Sequence, residues 1–303
     1  MIDITHKSST LRIATAQAIV KVSKHETIEA INNKTVPKGD VFSMCKAVGL
    51  LGVKNTPLIL ADCHPMPIEY TGIDYEINGL EIVIKVTIKT IYKTGVEVEA
   101  MHGASVVSLN MYDMLKPIDK GVEIHHIKLL EKKGGKSDYK DKFRQDLTAA
   151  VVVCSDTISS GQKEDKAGKA IISKLEECGV AIKDYVIIPD KKDIIQEKAK
   201  SYTDQGVNMI IYTGGTGLSN RDVTPEALKP LLTREIPGIE EAIRNYGQDR
   251  MPYAMLSRSI AGTIDNSLVL ALPGSTNGAK ESMDAIFPAV LHVFKILKGA
   301  RHN

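Results

Sequence analysis

Tryptophan is absent from this 303-residue sequence, and aromatic residues make up only 5% of it. Serial stacking platforms for single-stranded nucleic acid are therefore excluded. A charge excess is missing as well. The formal net charge is +2, without the strong positive field of a broad nucleic-acid or anionic-membrane binder, although a local basic pocket for phosphates is allowed. The four cysteines, Cys45, Cys63, Cys154 and Cys178, form no C-x-x-C pair and read as reduced thiols. No apolar run approaches membrane-spanning length, and the opening residues MIDITHKSST are too polar for a secretory signal. The expectation is a cytoplasmic protein with no nucleic-acid or membrane partner.

What is present is enough chain for two domains. Residues 12–22 read as a strand and 26–31 as a short helix. The turn Pro37-Lys38-Gly39-Asp40 places Asp40 to cap the helix through VFSMCKAVGLLGV. Residues 68–77 and 80–93 read as strands of a hairpin, because Asn78-Gly79 between β-rich runs is a strong turn signal. A helix is expected over 105–116, stopped by Pro117, and then a strand at VEIHHIKLL. The charged, glycine-containing stretch EKKGGKSDYKDKFRQD follows, composed as a linker is. Residues 1–140 are thus read as an α+β (ferredoxin-like) domain, 141–146 as a linker and 147–303 as a second domain. In the second, strands at 147–155, 185–188, 207–213 and 267–273 alternate with helices at 168–178, 194–205, 225–231 and 279–297. That rhythm predicts an α/β, doubly wound, mostly parallel sheet.

The sharpest local signal in the second half is YTGGTGLSNRDVTPEA, residues 212–227. Gly214, Gly215 and Gly217 follow an expected parallel strand, at the edge where open α/β sheets bind ligands, and they permit close approach of backbone N–H groups to anions. The loop matches neither a P-loop nor G-x-G-x-x-G, and a tight turn using glycine for geometry alone would read the same. A second loop, Pro273-Gly274-Ser275-Thr276, also ends a strand. Asp156, Asp190 and Asp222 each suit a cap or turn. At successive strand ends they could together hold Mg²⁺ against a triphosphate.

The first half scatters its polar residues. Arg12 opens a strand, Lys38 sits in a turn, His64 follows an apolar run and Lys136 lies in a late Gly-Gly-Lys. Glu97 and Glu99, two apart, share a face if the segment is extended. Asp113 and Lys116, three apart, are neighbours on a helix, and such a pair is most often an inert surface ion pair. Neighbouring cations or burial would lower a lysine's pKa and make it usable as a base.

Two resemblances add to these readings. Lys7-Ser8, Thr10-Leu-Arg12, Lys38-Gly-Asp40, Cys63-His-Pro65, residues 94–100 (TGVEVEA), Tyr112-Asp-Met114, Lys116 and Gly134-Gly-Lys-Ser137 resemble the cyclic pyranopterin monophosphate synthase family (MoaC type). Ser155-Asp156, Gly161…Asp165…Gly168, Ile188-Pro-Asp190, residues 213–217 (TGGTG), residues 221–226 (RDVTPE), Leu256-Ser-Arg258 and Leu272-Pro-Gly274 resemble the molybdopterin adenylyltransferase family (MoaB/MogA type). The first resemblance implies conversion of a cyclised dihydro-GTP to cyclic pyranopterin monophosphate with loss of pyrophosphate, with no cofactor identified. Lys38 and Lys116 would be acid/base groups beside Asp113, with Arg12, His64, Glu97, Glu99 and Lys136 binding substrate. It also implies a homo-oligomer, hexameric or trimer-based, with sites between subunits. The second implies adenylylation of molybdopterin by Mg-ATP. Asp190 and Asp222 would have catalytic and Mg²⁺-supporting roles, and Thr213, Gly214, Gly215, Thr216, Gly217 and Ser275 would bind pterin or phosphate. Asp62, Asp138, Thr157 and Thr276 depart from the usual pattern of these families. The partners implied are small pterin and nucleotide substrates. Open alternatives are a synthase whose second domain only binds molybdopterin, and a non-catalytic pterin-binding scaffold.

Overall fold

The computed structural model describes residues 1–135 and 146–299. Two compact units emerge, Met1–Tyr139 and Lys140–Asn303.

The first unit runs β1 (Thr10–Lys21), α1 (His25–Asn32), α2 (Val41–Ile59), β2 (Tyr70–Asn78), β3 (Glu81–Tyr92), α3 (Glu97–Leu115) and β4 (Glu123–Lys133). Period-two burial drives its sheet. Ala14, Ala16, Ala18 and Val20 of β1 and Ile82, Ile84, Val86 and Ile88 of β3 all point into the core. The order is β2-β3-β1-β4, with every ladder antiparallel. The hairpin closes at Gly79, in the left-handed region at φ +63°, as the Asn-Gly pair requires. Asp40 accepts a hydrogen bond from Ser43 N at 3.1 Å and caps α2. Helices α2 and α3 approach closely over glycines: a Cβ on Gly49 would lie 2.5 Å from Val107 Cγ2, and one on Gly103 2.7 Å from Val53 Cγ2.

Helix α3 corrects two expectations. It begins at Glu97 rather than near 105, so Glu97 and Glu99 occupy a helical first turn and diverge instead of sharing an extended face. Burial of Ala100, Ala104, Val107 and Met111 selects helix over the alternating V-E-V-E pattern. Acidic residues in the first turn also suit the helix dipole.

The second unit comprises β5 (Thr148–Cys154), α4 (Asp156–Ser159), α5 (Ala167–Glu177), β6 (Ala181–Ile188), α6 (Lys192–Asp204), β7 (Met209–Thr213), α7 (Thr224–Leu228), β8 (Arg234–Glu235), α8 (Pro237–Gln248), β9 (Ile260–Ile264), β10 (Ser267–Leu272), α9 (Thr276–Ile286) and α10 (Val293–Ile296). Its sheet has the order β6-β5-β7-β10-β9-β8. The first four strands are parallel, and β9 and β8 are added antiparallel at one edge. Successive residues of β5 feed opposite cores: Ala149 and Val151 face one side, Ala150, Val152 and Cys154 the other. This is the doubly wound, mostly parallel sheet expected. The closing helix is shorter than expected. It stops at Ile286, ahead of Phe287-Pro288, because proline cannot continue it.

Candidate functional site

In the first unit the turn before α2 and the last turn of α3 bring three charged groups together. Asp113 Oδ2 accepts from Lys38 Nζ at 2.5 Å, and its Oδ1 accepts from Lys116 Nζ at 2.7 Å. Lys116, then Lys38, holds the Asp113 carboxyl down at about 2. In return Asp113 raises the pKa of Lys116. Neither a neighbouring cation nor burial dominates at Lys116: its nearest charge is a carboxylate, which favours the charged amine.

A second group gathers at the opposite end of α3. Arg12 donates from Nε to Tyr92 O at 3.2 Å and from Nη2 to Lys93 O at 3.3 Å. With Glu97, Lys132 and the glycines Gly95 and Gly134 it lines a cavity of about 60 Å³. Lys132 Nζ lies 3.2 Å from Glu97 Oε1. Glu99 is buried at 1% exposure; its Oε1 accepts from Cys63 Sγ at 3.1 Å, and its Oε2 has no partner. Burial, reinforced by Glu99, pushes the Cys63 thiol up to about 12, leaving it neutral and a hydrogen donor. The adjoining His64 is half-buried, its Nε2 2.8 Å from Ile2 O. Lys136 and Asp138 lie outside the described residues.

These groups do not meet within one chain. Glu97 and Asp113 are sixteen positions apart on α3, about 24 Å at 1.5 Å per residue. That exceeds the reach of a single nucleotide-sized ligand.

In the second unit the ends of parallel strands β5, β6, β7 and β10 converge. Past β7, Gly214 (φ +98°) and Gly215 (φ +63°) turn sharply. A Cβ on Gly214 would strike Cys154 O at 2.2 Å, so only glycine lets the β5 and β7 ends approach. Thr213 Oγ1 donates to Pro273 O at 2.8 Å, joining this loop to the one after β10. Thr224 Oγ1 donates to Gly214 O at 3.0 Å. Thr216 is buried, and Ser275 caps α9 by accepting from Gly278 N at 3.1 Å.

The acids divide by environment. Asp156 and Asp190 each accept from the other's backbone N–H, at 3.1 Å and 3.3 Å. Asp190 Oδ1 is buried with no partner, and it would lie 2.8 Å from a Cβ on Gly215. Burial raises the Asp190 pKa, and the charges of Asp156 and Asp222 add to the rise. Asp222 is shifted the other way, chiefly by its hydrogen bonding to Ser219, whose N–H lies 2.9 Å from Oδ2. Asp190 and Asp222 share the wall of a cavity of about 210 Å³ with Thr213, Gly214 and Gly215. Thr216, Gly217 and Ser275 face a larger cavity of about 920 Å³ with Ile243, Met251 and Leu256. Gly274 lines both. The two strand-end loops and the two acids singled out in the sequence thus meet around adjoining spaces.

Arg258 was not assigned a role from sequence. Its Nε donates to Gly217 O at 2.8 Å, its Nη2 donates to Asp222 O at 2.7 Å, and its Nη1 pairs with Glu226. One guanidinium therefore fastens both ends of the 217–222 loop. Only the Leu-Ser-Arg tripeptide hinted at it.

Comparison with known proteins sorts the chain in the same way. Residues 1–135 match the MoaC family, and residues 150–292 match the probable molybdopterin binding domain. A molybdenum cofactor biosynthesis bifunctional protein of Chlorobaculum tepidum is 37% identical over 302 residues, covering 100% of this chain and 96% of that one. A cyclic pyranopterin monophosphate synthase of Clostridium perfringens is 44% identical over 139 residues, 45% of this chain and 87% of its own. Among solved structures, the molybdopterin biosynthesis enzyme MoaB of Thermus thermophilus is similar at 35% identity and a TM-score of 0.49, covering 52% of this chain and 99% of that one.

Proposed function

The chain belongs to the family of molybdenum cofactor biosynthesis bifunctional proteins, and we propose on that premise that its two units catalyse two separate steps of the cofactor's synthesis. Residues 1–140, with the β4-β1-β3-β2 antiparallel order of a ferredoxin-like sheet, form the cyclic pyranopterin monophosphate synthase. Residues 147–303 form the molybdopterin adenylyltransferase. The protein works in the cytoplasm; among the described residues no helix is long and apolar enough to cross a membrane.

In the first reaction (8S)-3',8-cyclo-7,8-dihydroguanosine 5'-triphosphate becomes cyclic pyranopterin monophosphate and pyrophosphate. The observation that carries this reading is the bridging of Lys38 and Lys116 by Asp113. Two amines held in fixed positions by one carboxylate supply protons and neutralise the charge on departing pyrophosphate. Arg12, His64, Glu97, Glu99 and Lys136 bind the substrate. Because the ends of α3 are too far apart to share one ligand, the lysines of one copy complete the Arg12–Glu97 end of another, in a hexameric or trimer-based assembly.

In the second reaction a phosphate oxygen of molybdopterin attacks the α-phosphorus of ATP. The bond to the β-phosphate oxygen breaks, and pyrophosphate leaves. The unpartnered, buried Oδ1 of Asp190, with Asp222 on the same wall, suits a hard divalent cation. Asp190 and Asp222 would hold Mg²⁺, which when bound would supply charge neutralisation at the triphosphate. The Asp156–Asp190 exchange fixes one carboxylate, and Arg258 fixes the loop carrying the other. The larger cavity takes the pterin, with Thr216, Gly217 and Ser275 at its mouth, while Thr213, Gly214 and Gly215 border the phosphates.

Pyrophosphate release from the purified full chain tests both halves, measured once with the cyclised GTP intermediate and once with molybdopterin and Mg-ATP. Release in both is expected. Silence in the second, with molybdopterin still bound, reduces the second unit to a pterin binder. Silence in both leaves a scaffold.

A further inference from the structure

The phosphate-sized cavity of the second unit has a charge problem. Its lining includes the carboxylates of Asp165, Asp190 and Asp222, yet under the proposed adenylyl transfer it must accept a triphosphate and let pyrophosphate depart. One divalent cation only offsets the two acids that hold it, and a polyanion needs further positive charge nearby.

Lys163 is the sole lysine or arginine among the described residues lining this cavity. Arg221, outside the lining, is a second cation near this wall, acting electrostatically on both Asp190 and Asp222. Arg258 is spread over Gly217, Asp222 and Glu226, and Lys169 is paired with Glu164 at 2.6 Å. Lys163 has no hydrogen bond or ion pair to any described residue. The acids beside it are satisfied by other groups. Asp165 accepts from Gly168 N at 2.9 Å and Tyr185 OH at 2.7 Å, and Asp222 accepts from Ser219 N at 2.9 Å. The one orphan in this wall is Asp190 Oδ1, already suited to the metal. Lys163 follows the turn at Gly161 (φ +76°) and lines the same cavity as Asp190 and Gly215. A flexible, uncommitted ammonium at the rim of an acid-lined space suits an anion that arrives with its own metal.

We propose that Lys163 is a phosphate-binding residue of the adenylyl-transfer site, contacting the β- and γ-phosphates of ATP and then the pyrophosphate released when the α–β bond breaks. The assignment rests on the adenylyltransferase reading of this unit.

Binding without turnover separates the two. Mg-ATP and Mg-pyrophosphate are titrated calorimetrically into the full chain, wild type and Lys163→Ala, Lys163→Arg and Lys166→Ala. Lys166 is exposed and outside the cavity lining, so its loss changes net charge equally without removing a contact. The expected result is about tenfold weaker binding of both ligands by Lys163→Ala, near-complete rescue by Lys163→Arg and no change in Lys166→Ala. A matching rise in KM for ATP should follow. Binding by Lys163→Ala equal to wild type overturns the lysine's role and leaves the adenylyltransferase reading standing. Equal weakening in Lys166→Ala reduces the effect to net charge and overturns it also. Failure of the wild type to bind either ligand overturns both.

Discussion

Asp113 lies between two ammonium groups, whereas Asp190 lies half-buried near two other carboxylates, and their acidities diverge accordingly. For Asp113 the folded value, about 2, is below that of an unfolded carboxyl. Its favourable contribution is therefore present above about pH 4 and lost as pH falls through about 2, so the bridge is intact throughout the working range. Asp113→Asn should lower the titration midpoint of Lys116, followed by NMR of the lysine ε-CH2 groups, and cut synthase turnover ~100-fold. An unmoved midpoint would detach Asp113 from the lysine's protonation. For Asp190 the sign reverses. A raised folded pKa gives a contribution that is full below about pH 4 and lost as pH rises through the folded value. At neutral pH the ionised group strains the metal-free protein. Asp190→Asn should thus raise the metal-free melting temperature at pH 7, with the gain shrinking toward pH 4. Mg²⁺ should stabilise the wild type and not the variant; equal stabilisation of both would remove Asp190 from the metal site.

At the scale of elements, the 217–222 loop depends on a fork that lysine cannot reproduce. Arg258→Lys should cost about 1–3 kcal/mol in urea unfolding, from the loss of charge-assisted hydrogen bonds, and should speed amide exchange over residues 217–222. Unchanged exchange there would show that the loop holds itself. Much of this architecture could be read directly from local chemistry. Asn78-Gly79 demanded its hairpin, Asp40 its cap, and the glycines after β7 a sharp strand end. The start of α3 was hidden because V-E-V-E alternates like a strand, and only burial of Ala100 and Ala104 against the sheet reveals the helix. Strands β8 and β9 and helix α8 were not read from the sequence; β8 is only two residues long, too short to show a period. Arg258 stayed silent for a different reason: its partners lie 32 to 41 residues away.

At the scale of the whole molecule, the candidate synthase residues were identifiable one by one, but their division between the ends of α3 was not, since it follows from the helix's full length. A site shared between copies makes a distinctive expectation. Lys116→Ala and Glu97→Gln should each be inactive alone. Co-assembled in equal amounts, they should recover roughly a quarter of wild-type synthase activity through random pairing of intact halves. No recovery in verified mixed oligomers would place all these residues in one copy's site.

Gly274 borders both cavities of the second unit, and a Cβ there would lie only 2.9 Å from Gly214 Cα. Two glycine backbones thus meet where the compartments adjoin, at positions with no room for a side chain. A methyl group at Gly274 would press on the Gly214 backbone and force the two loops apart, and one at Gly214 would strike Cys154 O.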